Sequence, residues 1–230
     1  MTDEKTYFLI PVRGGSRRIP RKNMLELDGE TLLARKIRQV SYLGTVIVGS
    51  DDDGMLKEAE RCGAMTVKRE CTDEAGGDTA NDMIAEFCVK VSHLVKPWDT
   101  VVWCHCTNPL ISMRTYHAAL CEYQRAIKAG YDSLVSVHEI RNHYWTHDGR
   151  PLYDVDRCRV HHMCASELTP ICEQDGSIFI QSYDRFMETS YFFGENPYLF
   201  RIPDCEFLDI NTPTDVLFAK AIIEGLPERR

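Results

Sequence analysis

Positive charge is concentrated in the run Arg13-Gly14-Gly15-Ser16-Arg17-Arg18-Ile19-Pro20-Arg21-Lys22-Asn23. Five of its first ten residues are basic, and no carboxylate occurs from Arg13 through Leu25. Two adjacent glycines would let backbone N–H groups turn inward and approach an anion closely. Arginine can fork across two oxygens of that anion at once. This is the composition a triphosphate-binding loop needs. It lacks the Gly-Lys-Ser/Thr of a P-loop and the three-glycine dinucleotide fingerprint, so it is neither common phosphate loop. Ser16 has no His or Lys at a telling distance, which argues against a serine nucleophile.

A second candidate lies near the other end, in Leu208-Asp209-Ile210-Asn211-Thr212-Pro213. Asp209 and Asn211 alternate along a strand end, so their side chains point the same way. A carboxylate and an amide oxygen so placed could hold a hard cation such as Mg²⁺. Thr212-Pro213 reads as a helix start, with Thr212 as N-cap and Pro213 in the first helical position. Asp51-Asp52-Asp53 follows an apolar run and reads as a cap for the next helix. Cys158, His161, His162 and Cys164 have a spacing that matches no common zinc motif. Trp98 and Trp103 read as core packing.

The elements that must position these groups alternate. Apolar runs at Tyr7–Val12, Thr45–Ser50, Met65–Val67, Thr100–Cys104, Ser133–Val137 and Ser177–Ile180 read as strands. Segments with helical periodicity lie between or beyond them, at Thr31–Val40, Met55–Cys62, Thr79–Val91, Met113–Ala129 and Thr214–Ile223. Such alternation predicts right-handed crossovers and a mostly parallel sheet with helices on both faces. From His138 to Cys172 the pattern is lost in a polar stretch rich in His and Arg. It is expected to be an excursion from one domain spanning 1–230. The basic loop then sits at the carboxyl end of the first strand, where open α/β sheets bind ligands.

Composition narrows the function classes. With 35 acidic against 27 basic residues the formal net charge is −8. Such a surface repels nucleic acids and anionic membranes unless its cations are locally concentrated, and a single basic loop suits a small anion better than a polymer. No charged-then-apolar leader opens the chain and no apolar run is long enough to span a bilayer. Ten cysteines, scattered through apolar segments, read as reduced thiols of a cytoplasmic protein.

The loop Arg13–Asn23 resembles the signature loop of the acylneuraminate cytidylyltransferases, the CMP-sialic acid synthetases and their relatives. Further segments follow in that family's order. Val67-Lys68-Arg69 with Gly77-Asp78-Thr79-Ala80 is similar to its nucleotide-contacting segment. Thr107-Asn108-Pro109-Leu110 is similar to its Thr-Ser-Pro-Leu turn. Asp175–Ile180 and Leu208–Pro213 resemble its Asn-Gly-Ala-Ile-Tyr-Ile strand and Asp-Ile-Asp-Thr-Pro segment. The resemblance implies a three-layer Rossmann-like nucleotidyltransferase fold with a mixed, mostly parallel sheet. It implies transfer of CMP from CTP to an acceptor with release of pyrophosphate, Mg²⁺ as cofactor, and a homodimer formed through the excursion. In-line attack at the α-phosphorus needs positioning, charge neutralisation and a metal rather than a covalent nucleophile. By this resemblance Arg13, Lys22 and Asp209 are catalytic. Arg13, Gly14, Gly15, Ser16, Arg17, Lys22, Asn23, Arg69, Asp78 and Thr79 bind the nucleotide, and Asp209 with Asn211 holds the metal.

Departures fall on the acceptor side. Asn211 stands where the family motif has its second carboxylate, His105-Cys106 replaces a Gln-Pro, and Ile111 and Ala165 occupy positions of expected arginines. His105, Asn108, Arg141 and His143 are the acceptor-binding candidates. A nonulosonic sugar acid is the first expectation, a phosphonate or phosphorylated acceptor the second. A sugar-nucleotide glycosyltransferase is the rival among enzymes, and a non-catalytic nucleotide-binding protein the rival from another class.

Overall fold

Side chains of a strand alternate between its faces, and in Tyr7-Phe8-Leu9-Ile10 both faces are apolar, so the strand must lie between two layers. The computed structural model describes residues 4–16, 18–70 and 79–225. Its elements run β1 (Thr6–Pro11), β2 (Glu26–Leu27), β3 (Glu30–Thr31), α1 (Leu32–Val40), β4 (Thr45–Ser50), α2 (Asp53–Arg61), β5 (Met65–Lys68) and α3 (Ala80–Val91). They continue with β6 (Thr100–Trp103), α4 (Met113–Lys128), β7 (Ser133–Ile140), α5 (Val155–Val160), β8 (Ile171–Ser182), α6 (Tyr183–Thr189), β9 (Pro197–Arg201) and α7 (Pro213–Gly225).

Seven strands form one sheet in the order β5-β4-β1-β6-β8-β7-β9. All pairings among β5, β4, β1 and β6, and that of β7 with β9, are parallel; β8 runs antiparallel to both neighbours. Phe8, Ile10, Val48, Val102 and Ile180 face one buried layer with Leu33 and Ile37 of α1, Met55 of α2, Tyr116 of α4 and Ala219 of α7. Tyr7, Leu9, Ile47, Trp103 and Phe179 face the other, with Phe87 and Val91 of α3 and Phe186 of α6. Phe8, Leu9 and Ile10 are each fully buried, and burial of a side chain of this size contributes about 1.5–3 kcal/mol. This is the three-layer α/β architecture expected.

Three differences from the sequence reading have physical causes. Regular structure extends into the expected excursion, because β7 and β8 continue as paired arms to Ile140↔Ile171. There Cys172, Glu173 and Gln174 of β8 are exposed, so no apolar alternation marks the strand. The edge strand β9 begins at a proline and has no fully buried residue, and the seven-residue helix α6 is too short for periodicity to show. Trp98 is 48% exposed rather than in the core, whereas Trp103 is fully buried.

Candidate active site

Strand β1 is hydrogen-bonded to β4 on one side and β6 on the other. Chain progress from β1 leads through β4 to β5, and the chain then returns to place β6 on the opposite flank. A parallel sheet opens a crevice at such a switch point. The crevice here is a cleft of about 600 Å³ at the carboxyl ends of β1, β4, β5 and β6, with walls from the basic loop, Asp51, Arg69, Thr79, His105–Thr107, Asp209 and Asn211. Its size falls in the range of small-molecule sites.

The basic loop brings Arg13, Ser16, Arg18, Lys22 and Asn23 to the cleft. Asn23 is 7% exposed and its Nδ2 donates to the Arg13 carbonyl at 3.4 Å, which ties the two ends of the loop together. Arg21 takes a left-handed conformation at φ 51°, turning the chain into the short 3-10 segment Lys22–Met24. Lys22 Nζ donates to the Ile210 carbonyl at 2.6 Å and approaches Asn211 Oδ1 at 3.5 Å. Burial pulls the Lys22 pKa below its ordinary value; Asp209 opposes this, while Arg18 and Arg13 add to it.

One expectation for the loop is corrected. The Gly14 N–H was expected to turn toward an anion, but it donates to Asp51 Oδ1 at 3.0 Å. A Cβ on Gly14 would lie 3.2 Å from Asp52 Oδ2, a tight contact that the carboxylate would have to yield to. Gly14 and Gly15 are absent from the cleft walls. Arg17 and Asp78 lie outside the described residues. Asp52 caps α2 by accepting from Met55 N at 3.0 Å, the helix-capping role expected of that acidic run.

Arg69 and Thr79 also line the cleft. The Arg69 side chain is 11% exposed, with Nε 3.5 Å from Glu86 Oε2. Thr79 caps α3 through a reciprocal pair with Asp82, which fixes the helix start against the cleft.

Asp209 and Asn211 do point the same way, and their amide–carboxylate contact settles what each can offer. Asn211 Nδ2 donates to Asp209 Oδ2 at 2.5 Å, while Asn211 Oδ1 accepts from Arg18 Nη2 at 2.6 Å. Asp209 Oδ1 is buried and has no hydrogen-bond partner. An unpartnered carboxylate oxygen beside a cleft is a fitting ligand for a hard divalent cation. Asp215 accepts from the backbone N–H of Asn211 at 2.8 Å and of Thr212 at 2.7 Å. Burial works against its charge, yet these bonds keep its pKa below the usual carboxylate value.

The acceptor-side candidates are not brought together. His105 lines the cleft, but both ring nitrogens are engaged. The Trp103 indole N–H, which can only donate, points to His105 Nε2 at 3.2 Å. The ring proton therefore sits on Nδ1 and is donated to the Gly176 carbonyl at 2.8 Å. Burial lowers the pKa of His105 further, so the ring is a neutral wall and not a base. Asn108 is 1% exposed and lies behind the wall, its Nδ2 on the carbonyls of Asp175 and Leu208. Arg141 binds Glu139 and the Leu168 carbonyl, and His143 stacks on His162 at 5.1 Å; neither lines the cleft. Ile111 is fully buried. Among the described residues no three His, Cys, Asp or Glu side chains gather as a metal cage. Arg18 and Asp51 are cleft residues that sequence reasoning did not select, although Arg18 belongs to the basic run it singled out.

Comparison with known proteins decides the family. Residues 7–162 match the sequence model of the family described as Cytidylyltransferase. The chain belongs to the cytidylyltransferase family. It is 24% identical over 225 residues to the pseudaminic acid cytidylyltransferase of Campylobacter jejuni, covering 95% of this chain and 96% of that protein. It is 27% identical over 229 residues to the N-acylneuraminate cytidylyltransferase of Escherichia coli, covering 95% of this chain and 52% of that one. These relatives place the cytidylyltransferase with the acylneuraminate-type members that its basic loop resembles. A CMP:2-keto-3-deoxy-manno-octonic acid synthetase complexed with CTP shares the fold, with a TM-score of 0.66, 15% identity and coverage of 96% of this chain and 99% of that one. A 4-diphosphocytidyl-2C-methyl-D-erythritol synthase from Anaerococcus prevotii gives a TM-score of 0.65, 12% identity and coverage of 96% of each chain. The chain is thus a CTP-dependent nucleotidyltransferase.

Proposed function

We propose that this cytidylyltransferase transfers CMP from CTP to the hydroxyl of a nonulosonic sugar acid, releases pyrophosphate and requires Mg²⁺. The observation that carries the reading is the meeting of two charge sets in one cleft. Arg13, Arg18 and Lys22 line it together with Asp209 and its open Oδ1, and Arg18 and Lys22 are bonded to the segment that carries Asp209. The relatives named for pseudaminic and N-acylneuraminic acid support the acceptor class.

The cationic loop would neutralise the triphosphate, with the two arginines able to span neighbouring oxygens. Lys22, tethered to the Ile210 carbonyl, holds its charge between the phosphates and Asp209. Arg69, backed by Glu86, lies on the side left for the nucleoside with Thr79. The acceptor would enter along His105, Cys106 and Thr107, a neutral wall suited to the hydroxylated part of a sugar. Its hydroxyl, giving its proton to water, would form a bond to the α-phosphorus as the bond from that phosphorus to the α–β bridging oxygen breaks and pyrophosphate departs. Asp209, with Asn211 beside it, would hold Mg²⁺, which when bound supplies further neutralisation of phosphate charge. Every other contribution is positioning and charge complementarity.

A pyrophosphate-release screen with CTP, Mg²⁺ and a panel of sugar acids, phosphonates and phosphate esters tests the reading. Turnover with a nonulosonic acid supports it. Turnover confined to phosphonates or phosphate esters replaces the acceptor, and tight CTP binding without turnover on any acceptor overturns the catalytic reading. The protein is further proposed to be a homodimer through the 141–170 excursion, where Trp145, Leu152 and Val160 are 55%, 52% and 91% exposed. Light scattering at micromolar concentration is expected to give twice the monomer mass; a monomer peak counts against it.

A further inference from the structure

Lys36, in the middle of α1, has no exposed surface. Enclosing an ammonium without a carboxylate in direct contact is costly, and an apolar residue of similar volume is usually the more stable choice at such a place. Its Nζ donates to the Asn108 carbonyl at 2.9 Å and to the Tyr116 hydroxyl at 2.8 Å, 5.0 Å from the centre of that ring. From the same helix Gln39 Nε2 donates to the Pro109 carbonyl at 2.8 Å. The turn that follows β6 is therefore held from behind by two side chains of α1.

That turn in turn holds the segment carrying Asp209. The Thr107 carbonyl accepts from Ile210 N at 2.8 Å. Asn108 Nδ2 reaches the Leu208 carbonyl at 3.4 Å and the Asp175 carbonyl at 3.1 Å. The residues on either side of Asp209 are thus both fastened to Thr107-Asn108. Asp175 is in addition fixed by the hydroxyls of Ser136 and Ser177, and the adjacent Gly176 carbonyl receives His105. The acceptor side of the cleft hangs from one buried junction.

We propose that Asn108, with Lys36 behind it, is a positioning residue that aims Asp209 into the cleft. The proposal rests on the reading of Asp209 as the metal ligand. A purely stabilising role would make the junction matter equally for both halves of the cleft, yet its bonds fasten the two neighbours of Asp209 directly, while Lys22 of the basic loop is reached at one remove through the Ile210 carbonyl. Loss of the junction should leave CTP held and the metal ligand misdirected.

The test compares Asn108→Ala and Lys36→Met with the intact protein. It measures CTP affinity, kcat, and Mn²⁺ affinity by electron paramagnetic resonance of the free ion. A lost orienting partner behind a ligand typically lowers metal affinity or turnover about 10- to 100-fold. We expect at least about a tenfold loss of kcat and of Mn²⁺ affinity in Asn108→Ala, a smaller loss in Lys36→Met, and CTP affinity within about threefold of the intact protein in both. If Asn108→Ala fails to fold, Lys36→Met carries the test alone. Unchanged Mn²⁺ affinity in a folded variant overturns the proposal, as does a parallel loss of CTP affinity. Failure of the intact protein to release pyrophosphate overturns the functional reading instead, while the Mn²⁺ titrations still decide the positioning role.

Discussion

Arg13 and Arg18 stand exposed on the basic loop, whereas Thr107, Asn108 and the flanks of Asp209 are locked to the buried face of α1. The two walls of one cleft are thus built by opposite means. A triphosphate is a large, flexible anion of high charge, and several arginines and a lysine can satisfy it without each holding one fixed geometry. A hard cation and an attacking hydroxyl demand fixed oxygens at fixed places. The enzyme spends its buried polar groups accordingly, on the side where direction matters.

Removing Asp209 is the harshest way to break this contrast. Asp209→Ala deletes the open Oδ1 from the ordered wall, and turnover at saturating CTP and Mg²⁺ is expected to fall at least about a hundredfold. Turnover within tenfold of the intact protein would rule out Asp209 as the metal ligand. Chelation of the intact enzyme should reproduce the same loss.

The loop predicts a milder outcome, because its cations share one task. Arg13→Ala and Lys22→Ala are each expected to lower kcat/KM at least about tenfold, equivalent to about 1.4 kcal/mol of transition-state stabilisation. The loss should grow at low ionic strength, where the intact loop gains most. Intact-like turnover in both variants would remove the loop from the phosphate site.

How much of this was legible in the residues follows the same division. The basic loop could be read because its chemistry is contiguous, and β1 could be placed before it because its apolar run is unbroken. Asp209 and Asn211 were legible as a pair from their spacing of two, although the expected strand end is an irregular segment between the 3-10 turn Asp204–Glu206 and α7. The junction was not, since Lys36 sits in a helical segment where its charge suggests a solvent face, and Asn108 in a turn where its amide suggests a ligand. Only the fold, which brings α1 beneath the 107–110 turn, turns both side chains inward. His105 was legible as a cleft residue, but not that the Trp103 indole takes its lone pair and leaves a neutral ring there. Arg141 and His143 were drawn from a cation-rich stretch that the β7–β8 arm carries away from the cleft walls.

Asn211 allows the comparison to be sharpened rather than broken. Its amide gives nitrogen to Asp209 and oxygen to Arg18, so it joins the ordered wall to the loop without adding charge. In Asn211→Asp a second carboxylate replaces the donated N–H. Mn²⁺ affinity without nucleotide should rise severalfold, by about 1 kcal/mol. CTP affinity under chelation should fall, since Arg18 would then pair with a carboxylate. An unchanged affinity for both ligands would mean that Asn211 faces neither.

The smallest expected effect is a thermodynamic signature of the buried junction. Burial holds the Lys36 pKa down to about 8, against the opposing pull of the Asp175 and Glu206 carboxylates. In the unfolded chain the same group titrates near 10.4. Below pH 8 both states carry the proton, so the cost of enclosing the ammonium is constant there. Between pH 8 and about 10 the folded protein has released the proton while the unfolded chain retains it, so this group makes stability rise with pH. Burial pushes the thiols of Cys104 and Cys106 and the Tyr116 hydroxyl upward, which keeps them neutral over that interval in the native state. Denaturant unfolding of the intact protein and of Lys36→Met at pH 7 and pH 9 isolates the lysine. The stability difference between the two proteins should move by about 1 kcal/mol in favour of the intact one at the higher pH. A difference that stays constant, or moves the other way, would mean that the Lys36 ammonium titrates in the folded protein as it does in water, and that the junction is wetter than its geometry implies.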